Sequence, residues 1–302
     1  MYDIIIIGGG PAGLTAALYA RRANKSVVVI EKNNFGGQIT FSPKVENIPG
    51  FVSVSGNEFS EKLVEQCIEQ GAEFESCEVL SVKDGEIKTV VTDEGEFEGK
   101  AVIIATGAKH RMLGLENEEK FVGEGISFCA VCDGAFYKNK VVGVVGGGNS
   151  ALVEAILLTE NAKKVIMIQN LDFLTADAKL QDQFMQKDNV EVILGTVVDG
   201  LIGENELKGV RVRKESTGEL SEIMLDGLFV AIGLVPQNEP FADVIELDER
   251  GYAKAAEGGL TKTKGVFVAG DCRTKKIRQV TTAASDGAVA ALAACDYIDS
   301  LK

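Results

Sequence analysis

An α/β chain built from two parallel, helix-covered sheets is what this sequence predicts, and three observations predict it. A β-branched run, Asp3-Ile4-Ile5-Ile6-Ile7, leads at once into Gly8-Gly9-Gly10-Pro11-Ala12-Gly13 and then a helical pattern. The same order recurs at Val141–Val145, where Gly146-Gly147-Gly148-Asn149-Ser150-Ala151 opens a second helix. Short apolar strands at 101–104, 228–231 and 266–269 run into the small-residue turns Ala105-Thr106-Gly107, Ala231-Ile232-Gly233 and Gly270-Asp271. Internal duplication is the simplest account: two Rossmann-like dinucleotide folds in one chain.

In the first unit the spacing predicts a helix from Leu14 to about Ala23 and a second strand over Ser26–Ile30. That strand ends at Glu31, 23 residues after Gly8. Gly8 permits the tight turn, Gly10 lets a pyrophosphate approach the helix, and Gly13 allows close helix–strand packing. Glu31 is placed to accept hydrogen bonds from an adenosine ribose. Gly36-Gly37-Gln38 and Asn47-Ile48-Pro49-Gly50 are loop signals. Apolar residues recur at helical spacing between Phe59 and Gln70, and residues 79–100 read as a meander turning at Asp84-Gly85 and Glu94-Gly95.

The second unit continues with a helix over 151–158 and a strand over 164–168. Gly146 plus 23 residues is Gln169, in Gln169-Asn170-Leu171-Asp172-Phe173-Leu174-Thr175-Ala176. No acid stands at the ribose position, no arginine is near to hold a 2′-phosphate, and Asp172 comes three residues late. The second fold is therefore expected to be intact as a fold and poorly equipped as a nicotinamide site. After Gly270-Asp271 come Arg278-Gln279-Val280-Thr281-Thr282 and an Ala-rich helix from about Ala283 to Leu301. Asp271 suits a ribityl or pyrophosphate contact, or a simple turn.

A chain of 302 residues holds two ordinary domains, and 34 Gly against 5 Pro fits many tight strand-to-helix turns. A net charge of -14 speaks against a nucleic-acid partner. No apolar run reaches membrane-spanning length, and the first strand starting at Tyr2 leaves no room for a leader, so a cytoplasmic setting is expected. The one local basic cluster is Arg273, Lys275, Lys276 and Arg278.

The chemistry-bearing stretch is Cys129-Ala130-Val131-Cys132-Asp133-Gly134. At this spacing two sulfurs can close a disulfide on one turn, and one can attack as a thiolate. A zinc site needs two more ligands, yet the chain has one His, His110, and four scattered cysteines, Cys67, Cys77, Cys272 and Cys295. These four are expected as small packed side chains, His110 as a surface residue, and no metal site is expected. In a reducing compartment such a pair is catalytic rather than structural.

The ordered motifs resemble, from end to end, the low-molecular-weight thioredoxin reductases. The resemblance implies an FAD domain in two parts, 1–111 and 243–302, with a second domain, 112–242, inserted between them and carrying the cysteines. It places Gly8, Gly10, Pro11, Ala12, Glu31, Gly37, Gln38, Asn47, Val79, Thr106, Gly107, Asp271, Arg278, Gln279 and Val280 around FAD. It further implies that Cys132 takes electrons from the flavin, that Cys129 attacks the disulfide of a thioredoxin, that Asp133 is the general acid, and that the protein is a homodimer.

The NADPH-using members carry a histidine–arginine–arginine run and a further arginine where this chain has Gln169, Asn170, Leu171 and Thr175. Charge-assisted phosphate contacts contribute about 1.5–3 kcal/mol each, so NADPH affinity is expected to suffer badly. This departure is similar to the ferredoxin-dependent flavin thioredoxin reductases, with the basic cluster at 273–278 as a docking patch for an acidic ferredoxin. A conventional NAD(P)H-dependent reductase is the alternative, and a non-enzymatic flavin redox sensor the third reading.

Overall fold

The structure, a computed structural model, describes residues 1–42 and 44–301; Pro43 and Lys302, the latter closing the expected 243–302 segment, lie outside the described residues. The chain divides into two compact units, Met1–Lys109 with Val235–Lys302, and His110–Leu234. The parallel sheets and flanking helices expected from the glycine turns are present in both.

The first unit opens with β1 (Tyr2–Ile7), α1 (Pro11–Arg22) and β2 (Val27–Ile30). Pro11 starts the helix three residues before the expected Leu14, because its fixed φ suits a first helical position that needs no N–H donor. A 3-10 turn at Gly37–Phe41 precedes α2 (Gly56–Glu69), which the Ser55 hydroxyl caps by accepting from the Glu58 amide. Then come β3 (Glu73–Glu75), β4 (Val79–Lys83), β5 (Lys88–Thr92) and β6 (Glu96–Ile104). The expected meander and the separate strand at 101–104 are joined: β6 serves both. Its first half, with Glu96 and Glu98 exposed, pairs antiparallel with β5, while its buried second half pairs parallel with β1.

β7 (Ala108–His110) carries the chain into the second unit, which begins with β8 (Ile126–Ser127) and the single-turn α3 (Ala130–Asp133). β9 (Val141–Val145), α4 (Asn149–Thr159), β10 (Lys164–Ile168), α5 (Ala178–Met185) and β11 (Val190–Ile193) follow. An antiparallel three-stranded sheet comprises β12 (Thr196–Gly203), β13 (Leu207–Lys214) and β14 (Leu220–Met224). β15 (Gly227–Val230) then returns to the parallel sheet, whose order is β11-β10-β9-β15-β8. β16 (Leu234–Pro236) leads back to the first unit.

The remainder of that unit supplies β17 (Val266–Val268), parallel to β6, and α6 (Val280–Asp299). α6 begins at Val280 rather than Ala283, because Gln279 and Thr282 form a reciprocal capping box. Its alanines have a packing reason: Ala283, Ala290, Ala291 and Ala294 are buried against α1. The two helices approach so closely that a β-carbon at Gly287 would collide with the Ala12 carbonyl oxygen. No helix among the described residues is long and apolar enough to cross a membrane.

Candidate active site and cofactor cradle

Cys129 and Cys132 form a disulfide across the single turn of α3, with Cα atoms 5.3 Å apart. Cys129 sits at the N-cap, where its Sγ accepts from the Cys132 amide at 3.2 Å and its carbonyl accepts from the Asp133 amide at 3.0 Å. Ala130 anchors the turn in the core, whereas Val131, between the sulfurs, is exposed. Both cysteines are part-exposed, so a redox partner can reach them.

Asp133 adjoins the pair. Burial pushes its carboxyl above the usual range, partly offset by the Ser127 hydroxyl, which donates to Oδ2 at 2.5 Å. The other oxygen, Oδ1, is buried without a hydrogen-bond partner, so the carboxyl is not consumed as a helix cap. Ser127 also accepts from the Cys129 amide at 3.2 Å, linking Asp133 to the cysteine backbone. No sequence motif marks Ser127. A buried carboxyl with one free oxygen beside a disulfide is suited to holding and returning a proton.

The residues expected around a dinucleotide lie in the first unit, and most of them converge. Gly8, at φ 109°, lies so close to the Ala105–Thr106 turn that a β-carbon would strike the Ala105 carbonyl oxygen. Glu31 accepts from the Gly9 amide at 2.9 Å, and Gly36 donates to the Gly9 carbonyl at 2.7 Å, bringing the Gly37-Gln38 turn against Gly10. Ala12 packs against Gly270, Asn47 donates to the Gln279 side-chain oxygen at 3.2 Å, and Arg278 lies over the Tyr252 ring and reaches the Asp271 carbonyl at 3.4 Å. Val280 is the first residue of α6. Val79 starts β4 and packs beside the core cluster of Ile7, Ile30 and Cys77.

This cradle fits FAD on two counts. A β-carbon at Gly107 would meet nothing within 4 Å and one at Gly10 only the Gly37 Cα at 3.8 Å, so both turns leave room for a ligand beside the backbone. Asp271 Oδ1 is buried without a hydrogen-bond donor, the nearest cation being Lys275 at 3.7 Å. Burial raises the Asp271 carboxyl, and a ribityl hydroxyl is the kind of donor such an oxygen needs.

The second glycine turn repeats the first in backbone but not in chemistry. Gly146, at φ 126°, lies against the Ala231 carbonyl as Gly8 does against Ala105. Gln169 takes the place of Glu31, packed on Gly147, only 5 % exposed, with its amide donating to the Phe173 carbonyl at 3.3 Å. The loop folds back on the turn: the Thr175 and Ala176 amides donate to the Gly147 carbonyl, and Asn149 and Asp177 bond reciprocally. Asp172 is turned against Gly195.

Two expectations need correction. The basic cluster is not a docking patch: Arg273 and Lys275 are only 15 % and 9 % exposed, and both bond Asp286, at 2.7 and 2.9 Å. Of the four cations only Lys276 is exposed, because α6 brings Asp286 beneath the loop. His110 is not a plain surface residue. It stacks on Phe128 at 4.6 Å, and burial lowers its pKa to about 4, leaving it neutral. Cys67, Cys77, Cys272 and Cys295 are buried free thiols, and burial pushes Cys67 up to about 12 and Cys272 to about 11.

Residues 2–287 match the family model described as pyridine nucleotide-disulphide oxidoreductase. A Clostridium pasteurianum protein named as the 34.2 kDa protein in rubredoxin operon is 44% identical over 299 residues, 98% of this chain and 97% of that protein. The thioredoxin reductase of Bacillus subtilis is 41% identical over 304 residues, covering 100% and 96%. The crystal structure of thioredoxin reductase from Streptococcus pyogenes superposes with a TM-score of 0.94 at 40% identity, covering 99% of both chains. The chain belongs to the pyridine nucleotide-disulphide oxidoreductases, and within them to the low-molecular-weight thioredoxin reductase family, whose members are FAD flavoproteins.

Proposed function

We propose that this protein reduces the disulfide of thioredoxin through Cys129–Cys132, with FAD bound in the first unit and a ferredoxin, rather than NADPH, as the electron donor. The donor assignment rests on one observation: the adenosine end of the second glycine turn is filled by the buried Gln169 side chain, in a loop with no basic residue from 169 to 177. A 2′-phosphate there would lack the cations that normally hold it. The intact backbone turn at Gly146 is what favours the alternative, a conventional NAD(P)H-dependent reductase.

Opening Cys129–Cys132 breaks one S–S bond and consumes two electrons and two protons. FAD, when bound, supplies the electron pair. Cys132 receives it, and the Cys129 thiolate attacks one sulfur of the thioredoxin disulfide, whose other sulfur leaves as a thiolate. Attack by Cys132 on the mixed disulfide then restores the Cys129–Cys132 bond and frees dithiol thioredoxin. Asp133 holds the proton that the departing sulfur takes up, and Ser127 orients its carboxyl. In this reading His110–Leu234 is the cysteine-carrying unit of a cytoplasmic homodimer, for which the family resemblance is the support.

The test is spectroscopic and anaerobic. Reduced ferredoxin is expected to bleach the flavin absorption, while NADPH and NADH leave it unchanged; rapid bleaching by micromolar NADPH overturns the donor assignment. Photoreduction followed by addition of thioredoxin tests the reductase itself, which falls if the disulfide of thioredoxin stays closed.

A further inference from the structure

Glu154 is a half-buried residue whose carboxyl the chemistry above leaves unused. It lies on α4, the helix after the second glycine turn, and α4 packs against α3 through Leu152, Ala155, Leu158 and Ala130. The Ala130 backbone amide, joined directly to Cys129, draws the pKa of this carboxyl down against the effect of burial. Its Oε2 is buried with no hydrogen-bond partner. Asp133 Oδ1 is in the same condition, so two half-buried carboxyl groups, one in the turn of α3 and one on the helix packed against it, each have one buried orphan oxygen. An orphan buried acceptor costs free energy, and such groups persist where a reaction uses them.

We propose that Glu154 is a charge-setting residue for the cysteine pair: its orphan oxygen lies on the helix packed against α3, and its protonation state governs how readily Cys129 and Cys132 form thiolates. This rests on the thiol–disulfide exchange proposed above, though its test does not require thioredoxin or FAD. A negative charge on this carboxyl, on the helix packed against α3, opposes a second negative charge on either sulfur. By reciprocity, a thiolate on the turn favours the protonated carboxyl. Burial already holds Glu154 up to about 7, where small changes alter its charge.

The surroundings leave this carboxyl to control its own charge. The cysteine segment brings Asp133 and Tyr137, α5 carries Lys179 and Asp182, and β10 begins at Lys164. Burial and the Ala130 amide are the influences that set its pKa. Tyr137 stays a neutral phenol, raised to about 12 chiefly by burial.

The full chain, reduced with dithiothreitol and freed of it, is alkylated with iodoacetamide across the pH range, and modification is read at Cys129 and Cys132 by peptide mass. Glu154→Gln keeps the size and an acceptor oxygen of the side chain and removes the charge. It is expected to move the thiol midpoint down by at least about half a unit, or about threefold in rate on the rising limb. A profile that superimposes on wild type, or moves upward, overturns the proposal. A merely structural role would instead show wild-type behaviour in Glu154→Gln and a change only in Glu154→Ala. Should the variant fail to fold, carbon NMR of the wild-type carboxyl decides: its midpoint is expected to rise from the disulfide to the dithiol form, and an unchanged midpoint overturns the proposal. Success here with a failed thioredoxin assay would leave Glu154 standing and remove only the thioredoxin reading.

Discussion

The Thr106 hydroxyl donates to the side-chain oxygen of Asn238 at 3.3 Å, tying the turn after β6 to chain that re-enters the first unit 132 residues later. Asn238 is fully buried and spends its amide protons on the Gly251 and Cys272 carbonyls, at 2.9 and 2.8 Å. One side chain thus joins three segments, two of them bearing cofactor-cradle residues, Thr106 and Asp271. Asn238→Ala leaves two carbonyls without this donor and is expected to cost about 2–4 kcal/mol. The check is a chemical denaturation midpoint alongside flavin content. Loss of flavin with an unchanged midpoint would contradict this structural role.

Asp286 holds together two cations that are 15 % and 9 % exposed, of which Lys275 otherwise has only Asp271, at 3.7 Å. Burial alone would push its carboxyl up, but hydrogen bonds from Arg273 and Lys275 outweigh that and hold it below the usual value. A depressed folded pKa gives stability that is present above the unfolded value of about 4 and is lost as pH falls through the folded value. Asp286→Asn strands both cations and is expected to destabilise by about 3–5 kcal/mol at neutral pH, with the difference from wild type narrowing in acid. Lys276→Ala, at the exposed neighbour, is expected to leave the midpoint unchanged.

What the sequence made legible was what sterics dictate. Gly8 and Gly146 could be read because few residues other than glycine adopt their φ against a carbonyl, and the β-branched runs because strands buried on both faces tolerate little else. The converse cases turn on distant partners. Arg273 and Lys275 read as a solvated patch because nothing local announces Asp286, 13 and 11 residues further on. Glu154 reads as an ordinary helix glutamate until α3 is laid over it, and Asn238 as a loop asparagine until Thr106 and Cys272 meet it. The β12–β13–β14 sheet went unread because its buried apolar residues, Val198, Leu207, Val210 and Val212, are interrupted by exposed or polar positions rather than forming one apolar run, and α5 because it buries only Phe184.

Glu154 also carries a stability signature distinct from its effect on the thiols. Its folded pKa of about 7 stands above the ordinary 4.5, so its contribution is favourable below the unfolded value and is lost as pH rises toward 7. Above that, wild type bears the cost of a buried charge. Glu154→Gln, neutral throughout, is therefore expected to be more stable than wild type by roughly 2–3 kcal/mol at about pH 8, with the gap closing by about pH 4.5. Thermal or urea unfolding at the two pH values measures this; a gap that does not change with pH would place the carboxyl in a solvated setting instead.

Gly10 and Gly13 belong to one fingerprint, yet the structure assigns them different failures. A β-carbon at Gly13 would run into the Gly8 carbonyl oxygen inside the strand–helix turn, where no flexible side chain can yield. Gly13→Val is therefore expected to damage the fold of the first unit, with a loss of at least about 3 kcal/mol or failure to accumulate as soluble protein. Gly10 has an extended backbone at φ -81°, which any residue adopts, and its β-carbon would meet only the Gly37 Cα at 3.8 Å. Gly10→Val should accordingly fold, keep its circular dichroism and lose FAD, because the new methyl groups occupy the space through which a pyrophosphate reaches the start of α1. Purified Gly10→Val retaining a full complement of flavin would mean that the pyrophosphate is not held at this turn, and that the cradle has been placed on the wrong face of the glycines.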